Sequence, residues 1–277
     1  MGTVNFNKSG LGFIGVGNMG SAMVLGLIES GFPARDITLF DIDPKKYEKF
    51  GEHQVNTAMS NAELISSTKY IFLAALPKQI KSSLCGLDRE TLQGKIFISI
   101  AASVCTHDIC KALGTDVPVI RIMPSMPMIV GMGAVAACRN ELVCDEEFYY
   151  VINLFKSISV VSVMDEKYLN PIIAVNGSSP AFVYLFVKAM RDGALVQGIT
   201  PEVSMPLILQ TIKGAVKVLE TKIEVDIEDL LHEVALPGGT TERALKSLDN
   251  DEFVEAIIKA MLECTAMADE ISSKITL

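Results

Sequence analysis

Leu11-Gly12-Phe13-Ile14-Gly15-Val16-Gly17-Asn18-Met19-Gly20 decides how the first half of this chain folds. An apolar run ends in Gly-x-Gly-x-x-Gly, and the residues after it, to Ser30, carry helical apolar spacing. Alone, the glycine pattern says little. Where it leaves a strand and opens a helix it is the turn that holds a dinucleotide. Gly15 permits the tight turn, Gly17 lets the backbone approach a pyrophosphate, and Gly20 lets the helix pack closely on the strand. The helix start at Asn18 and Met19 then offers bare N–H groups to the phosphates.

Working outward, short β-branched runs at Leu11–Gly15, Ile37–Asp41, Tyr70–Ala75, Lys95–Ala101 and Val117–Met123 alternate with helical stretches. The helices expected between them are Met19–Ser30, Pro44–Phe50, Asn61–Ser66, Gln79–Cys85 and His107–Leu113. Near-continuous apolar strands separated by helices imply a parallel sheet covered on both faces. Two more β-like runs follow, Gly133–Ala137 and Ser159–Val163, around a helix at Glu146–Ser157. From about residue 166 the pattern turns helical, with Pro180–Gly193, Pro201–Glu220, Thr241–Leu248 and Asp251–Ser273. The fold class is therefore α/β: a Rossmann dinucleotide-binding domain over 1–165, then an all-helical domain over 166–277.

The second strand ends at Asp41, about twenty residues past the last glycine, where an acidic side chain accepts hydrogen bonds from the adenosine ribose. Ile42, Asp43 and Pro44 follow it, with no adjacent arginine, so the reading favours NADH over NADPH. Ligands of open parallel sheets bind beyond the carboxyl ends of strands. That places Ala74, Ala75, Leu76 and Pro77 after one strand, and Ala101 and Ala102 after the next, around the nicotinamide half.

Hydrophobic residues make up 49% of the 277 and charged residues 21%, a globular balance. A net charge of -9 sets the surface against nucleic acid, so no such partner is expected. The six cysteines form no CxxC pair and show no zinc-ligand spacing, so no metal is expected. They read as plain thiols of a reducing compartment. Residues 1–10 lack the apolar core of a signal peptide, and no run of about 18 apolar residues exists to span a membrane. The expected location is cytoplasmic.

Three further segments are too particular for simple packing: Arg121–Pro127, Asn176–Ala181 and Pro237-Gly238-Gly239-Thr240-Thr241. The last opens a helix with two glycines and two threonines, which suits the carboxylate of a small substrate. With these segments in place, the chain resembles the Δ1-pyrroline-5-carboxylate reductase family from about residue 10 to about 265. Pro237–Thr241 is the most specific match; Arg121–Pro127, Gly177–Ala181 and Ala101-Ala102 match other family segments. Leu76, Ser103, Ser125, Asn176 and Leu236 depart from the family pattern.

The resemblance implies an NAD(P)H-dependent reductase of a cyclic imino acid, in proline biosynthesis, whose helical domain is of the 6-phosphogluconate-dehydrogenase-like C-terminal type. It implies that Thr241 hydrogen-bonds the ring nitrogen, that Gly239, Thr240 and Thr241 hold the carboxylate through their N–H groups, and that Gly238 belongs to the same substrate-binding turn. Glu166 and Ser178 complete the substrate pocket, and the helical domain forms a homodimer or higher homo-oligomer. None of His53, His107 and His232 falls in a matched segment, so no histidine acid is expected. Two other readings stay open: reduction of a different imino or keto acid, and a non-catalytic dinucleotide-binding protein.

Overall fold

The computed structural model describes residues 10–275. The elements in chain order are β1 (Leu11–Ile14), α1 (Asn18–Glu29), β2 (Ile37–Phe40), β3 (Asn56–Thr57), α2 (Asn61–Ser67), β4 (Tyr70–Leu73), α3 (Ile80–Leu84), α4 (Arg89–Leu92), β5 (Ile96–Ser99), α5 (Thr106–Leu113), β6 (Val119–Met123), β7 (Gly133–Arg139), α6 (Asp145–Lys156) and β8 (Ser159–Val163). The stretch Pro44–Phe50, expected as a helix, is a tighter 3-10 turn whose start is capped by Asp43. Helices then follow: α7 (Ser179–Val196), α8 (Pro201–Thr221), α9 (Ile227–Val234), α10 (Thr240–Asn250) and α11 (Phe253–Lys274).

The strands form one sheet in the order β3-β2-β1-β4-β5-β6-β7-β8. All neighbours are parallel except β6 and β7, which run antiparallel. The reversal follows from the Pro124–Met132 link, which is too short for a helical crossover back to the starting edge. Side chains alternate between two apolar layers, as the strand period requires. Leu11, Phe13 and Phe72 face α1 and α6; Ile14, Ile71 and Leu73 face α2, α3 and α5. Phe13 and Phe72 stack with centroids 4.4 Å apart. Burying one such phenyl contributes on the order of 2–3 kcal/mol.

Two compact units divide the chain: one runs to Pro180 and resumes at Glu263, and the other is Ala181–Leu262. The division expected after residue 165 follows element type. By packing, the segment just beyond 165 stays with the sheet, because fully buried Leu169 sits among Met123, Ala136 and Cys138. The end of α11 is held to the same unit: Asp269 and Ser272 accept from the Asn170 amide, and the Ser272 hydroxyl donates to the Ser103 carbonyl at 2.7 Å. The helical unit buries only Ser204 and Ile208. Its large apolar side chains, Tyr184, Leu185, Leu207 and Leu262 among them, are exposed on a single chain. No helix among the described residues is long and apolar enough to cross a membrane.

Candidate active site

The glycine turn leaves β1 against the exit of β4. Gly15 has φ +95, and a Cβ there would lie 2.9 Å from the Ala74 carbonyl carbon and oxygen and 3.0 Å from the Ala75 nitrogen. Backbone conformation and close approach both therefore demand glycine. Gly20 carries the second close approach, since its Cβ would meet the Gly15 oxygen at 2.5 Å. Nothing lies within 4 Å of a Cβ on Gly17, and no side chain caps α1. The N–H groups of Asn18, Met19 and Gly20 thus face an open space with no intrahelical acceptor. A pyrophosphate fits that space and those donors.

The parallel strands β2, β1, β4 and β5 bring the other expected cofactor residues to the same edge. The Gly15 N–H donates to Phe40 O at 2.8 Å, Ala74 N–H to Ile14 O at 2.8 Å, and Ile100 N–H to Leu73 O at 3.2 Å. Asp41, Ala74 and Ala75 with Leu76 and Pro77, and Ala101 with Ala102 therefore follow neighbouring strands out of one end of the sheet. Leu76 is exposed, and with Pro77 it borders a cavity of about 550 Å³ whose other wall includes Ile271, Lys274 and Ile275.

Asp41 is the best anchored of these. Its Oδ2 accepts the Val16 N–H at 2.9 Å, and its Oδ1 the Asp43 N–H at 3.0 Å. Lys46 Nζ lies 3.1 Å from both oxygens. Burial opposes the charge, but the hydrogen bonds from Asp43, Val16 and Lys46 outweigh it and hold the carboxyl below its ordinary pKa. The expectation that Asp41 favours NADH rests on the absence of an adjacent arginine; the cation that does stand beside Asp41 is Lys46. Lys49 adds a second, its Nζ donating to Val16 O at 3.1 Å. Neither lysine was singled out in the sequence. The signal lay in the turn over 44–50, which carries Lys46 back onto Asp41.

Beyond β5, Ser103 stands at φ +67, fully enclosed, with its hydroxyl unpartnered among the described residues. Thr106 opens α5 and is gripped by Glu166, which accepts from its N–H at 2.7 Å and its hydroxyl at 2.8 Å. Glu166 also lies 3.6 Å from the guanidinium of buried Arg121, whose other end donates to Asn170 at 2.7 Å. A third of the Glu166 side chain remains exposed. Asn176, one of the departures, donates to Met123 O at 2.7 Å and Ala134 O at 3.0 Å. Ser125, another departure, accepts the Ala134 N–H at 2.8 Å. Both thus staple the β6–β7 corner. The residues before α7 make a π-type turn, Ile173–Gly177, which leaves the Ser178 hydroxyl 3.2 Å from Cys264 Sγ.

The Pro237–Thr241 segment lies in the helical unit. Gly238 has φ +75, and a Cβ on Gly239 would lie 2.9 Å from Leu236 O, so both glycines are required. Gly239, one of the expected carboxylate donors, and its neighbour Gly238 are already engaged within the turn. The Gly238 N–H donates to Glu242 Oε2 at 2.9 Å, and the Gly239 N–H to Leu236 O at 2.9 Å. The Gly238 N–H, with Lys246 beyond it, holds the Glu242 carboxyl below its usual pKa. The N–H groups of Thr240 and Thr241 stand at the uncapped start of α10 without an intrahelical acceptor. Of the expected carboxylate donors, these two remain unengaged among the described residues.

All six cysteines are free. Burial pushes Cys105 up to about 11 and Cys138 up to about 12, so neither is a ready nucleophile. Among the described residues no group of three His, Cys, Asp or Glu converges on a metal site.

A family model described as pyrroline-5-carboxylate reductase dimerisation matches residues 166–271, and one described as NADP oxidoreductase, coenzyme F420-dependent, matches residues 10–103. The pyrroline-5-carboxylate reductase of Escherichia coli strain K12 is 34% identical over 270 residues, covering 95% of this chain and 98% of that protein. The structure of Plasmodium falciparum pyrroline carboxylate reductase with NADP bound matches with TM-score 0.89 at 27% identity, covering 95% and 98% of the two chains. The structure of the Coxiella burnetii pyrroline-5-carboxylate reductase matches at TM-score 0.83 and 32% identity, covering 96% and 99%.

Proposed function

The chain belongs to the pyrroline-5-carboxylate reductase family, and on that premise we propose how its own residues carry out the reduction of 1-pyrroline-5-carboxylate to L-proline. One observation carries the reading: the glycine turn stands open at the uncapped start of α1, in a chain that aligns with these reductases over 95% of its length. Bound NAD(P)H supplies a hydride to the C=N carbon. The N–H groups of Asn18, Met19 and Gly20 hold the pyrophosphate. Ala74, Ala75, Leu76, Pro77, Ala101 and Ala102 border the nicotinamide half, where their small or apolar side chains leave room for a ring.

Thr240 and Thr241 hold the substrate carboxylate through their N–H groups, and the Thr241 hydroxyl hydrogen-bonds the ring nitrogen. Gly238 and Gly239 shape this turn, their own N–H groups being used within it. Glu166 and Ser178 border the substrate, Glu166 through its exposed third. A protonated imine accepts hydride readily, so the site works without a strong general acid.

The functional form is a homo-oligomer through residues 166–271, in the cytoplasm and within proline biosynthesis. The helical unit supports the first point, since it buries only Ser204 and Ile208 and exposes its apolar faces. The six free cysteines support the second. The test is the loss of nicotinamide absorbance when purified protein meets pyrroline-5-carboxylate with NADH or NADPH. Nucleotide binding without any imine-dependent oxidation would sink this substrate assignment.

A further inference from the structure

Asp41 marks the adenosine end of the nucleotide cleft, because its carboxylate is bonded to the glycine turn itself through the Val16 N–H. An NAD-type ribose offers two hydroxyls and needs an acceptor with free lone pairs. Asp41 has little to offer: its side chain is 5% exposed, and its oxygens already serve Val16, Asp43 and Lys46. The ammonium on it is the accessible partner, with 38% of the Lys46 side chain exposed. A second ammonium, Lys49, reaches the same turn at Val16 O. Lys46 and Lys49 thus bring two ammoniums to this turn, on a chain whose net charge is -9. The nearby acid Asp43 is turned toward the Lys45 N–H at 3.1 Å.

We propose that Lys46 selects the nucleotide, exchanging its bond to Asp41 for the 2′-phosphate of NADPH, with Lys49 as the second cation of that subsite. The inference rests on the dinucleotide reading of the glycine turn and deepens it. A 2′-phosphate brings nearly two negative charges and acceptor oxygens to two exposed or half-exposed ammoniums. When Lys46 turns to the phosphate, the Val16 and Asp43 N–H groups still hold the Asp41 carboxylate. Ribose hydroxyls alone gain nothing from the lysines, and reach Asp41 only by displacing a partner that it already has. Burial and the charge of Lys46 both press the Lys49 pKa below the ordinary lysine value. An added anion relieves the second of these.

The experiment is calorimetric titration of the intact protein with adenosine 2′,5′-bisphosphate and with 5′-AMP, which differ only in the 2′-phosphate and need no imine substrate. The native chain binds the bisphosphate at least about tenfold more tightly, and the gap narrows with salt. Lys46→Met removes most of that gap while leaving 5′-AMP within about twofold, and Lys46→Arg keeps it. Equal affinity of the native chain for both nucleotides overturns the proposal. So does a Lys46→Met variant that loses both nucleotides equally, since Lys46 would then only support Asp41. Binding of neither nucleotide overturns the dinucleotide reading along with it, whereas failure of imine reduction with the nucleotide gap intact leaves this subsite standing.

Discussion

Glu166 and Thr106 are joined twice, Oε1 accepting the Thr106 N–H at 2.7 Å and Oε2 its hydroxyl at 2.8 Å. A carboxylate at the first turn of α5 also meets the positive end of that helix. The pair ties the loop after β5 to the segment that leads toward α7, and it gives the buried guanidinium of Arg121 its counter-charge. Glu166→Ala is expected to destabilise the protein by about 1–3 kcal/mol, because Arg121 and the Thr106 N–H lose a partner where water is scarce. Thr106→Val removes one bond and keeps the other, for about 1 kcal/mol. Urea unfolding without ligands reads both. A Glu166→Ala protein as stable as the native one would leave the carboxylate with a substrate role alone.

Gly15→Ala meets two obstacles at once. The residue has φ +95, and its new methyl would stand 2.9 Å from the Ala74 carbonyl. The cost is expected at about 1–3 kcal/mol in stability, with nucleotide affinity lost as the turn shifts away from β4. Thermal melting with and without NADPH separates the two effects. Gly17→Ala makes the contrast, since its Cβ enters open space. Its fold should survive while nucleotide binding falls, because the methyl occupies the pyrophosphate's approach.

Acid sensitivity should trace in part to Asp41. Its folded-state pKa lies below the ordinary value, held there by Asp43, Val16 and Lys46 against the opposing effect of burial. A carboxylate of this kind adds stability that is fully present above the unfolded pKa of about 4, and that is lost as pH falls through the lower folded value. Asp41→Asn should therefore be less stable near neutrality, and the difference should shrink below about pH 4. Unfolding midpoints across that window decide it. A constant gap between the two proteins would mean that Asp41 does not titrate with folding.

The strands were legible because each is a short apolar run, and seven of them fall within a residue or two of the sequence reading. β3 was not: Asn56–Thr57 is exposed and has no apolar period to detect. α4, a single turn at Arg89–Leu92, buries Leu92 but is too short to show a period. α9 carried a signal, Asp226 capping an amphipathic Ile227–Val234, but the segment is short and rich in acids. Of the site, the glycine turn and the Pro237–Thr241 segment could be read because backbone conformation imposes glycine at fixed places. The partners of Asp41, Glu166 and Gly238 could not. Hydrogen bonds such as Thr106 to Glu166 join residues sixty apart, and no local pattern encodes them.

Ser103 stands where the family pattern has glycine, and its backbone shows why glycine suits the place. Its φ of +67 is unfavourable for a side chain, and its buried hydroxyl has no partner among the described residues. Ser103→Gly is expected to stabilise the protein by about 1 kcal/mol, strain relief and removal of the unpaired hydroxyl outweighing the added freedom of the unfolded chain. The Ser272 hydroxyl bonds to the Ser103 carbonyl, which the variant retains. A raised melting temperature supports the account. A lowered one would show that the serine hydroxyl is satisfied in solution.

Thr241 carries the most specific expectation about the chemistry. The two N–H groups before Thr240 are used within the turn, Gly238 on Glu242 and Gly239 on Leu236. In the proposed site the substrate carboxylate is left with Thr240 and Thr241 at the start of α10, where the helix end favours negative charge. Beside it stands Glu242, a fixed anion whose charge opposes a second one. Two substitutions should then separate two roles. Glu242→Gln relieves that repulsion and should lower KM for the imine while changing kcat little, since it touches the carboxylate end alone. Thr241→Ala removes the hydroxyl proposed to meet the ring nitrogen, a bond that would strengthen as the imine becomes an amine. Its loss should cost about 1–3 kcal/mol in kcat/KM, roughly a five- to hundredfold fall, carried mainly by kcat. Nucleotide affinity, measured by calorimetry, should stay unchanged in both variants. Thr241→Ala reducing pyrroline-5-carboxylate at the native rate would remove the threonine from the mechanism. A Thr241→Ala effect confined to KM would confine its role to the carboxylate.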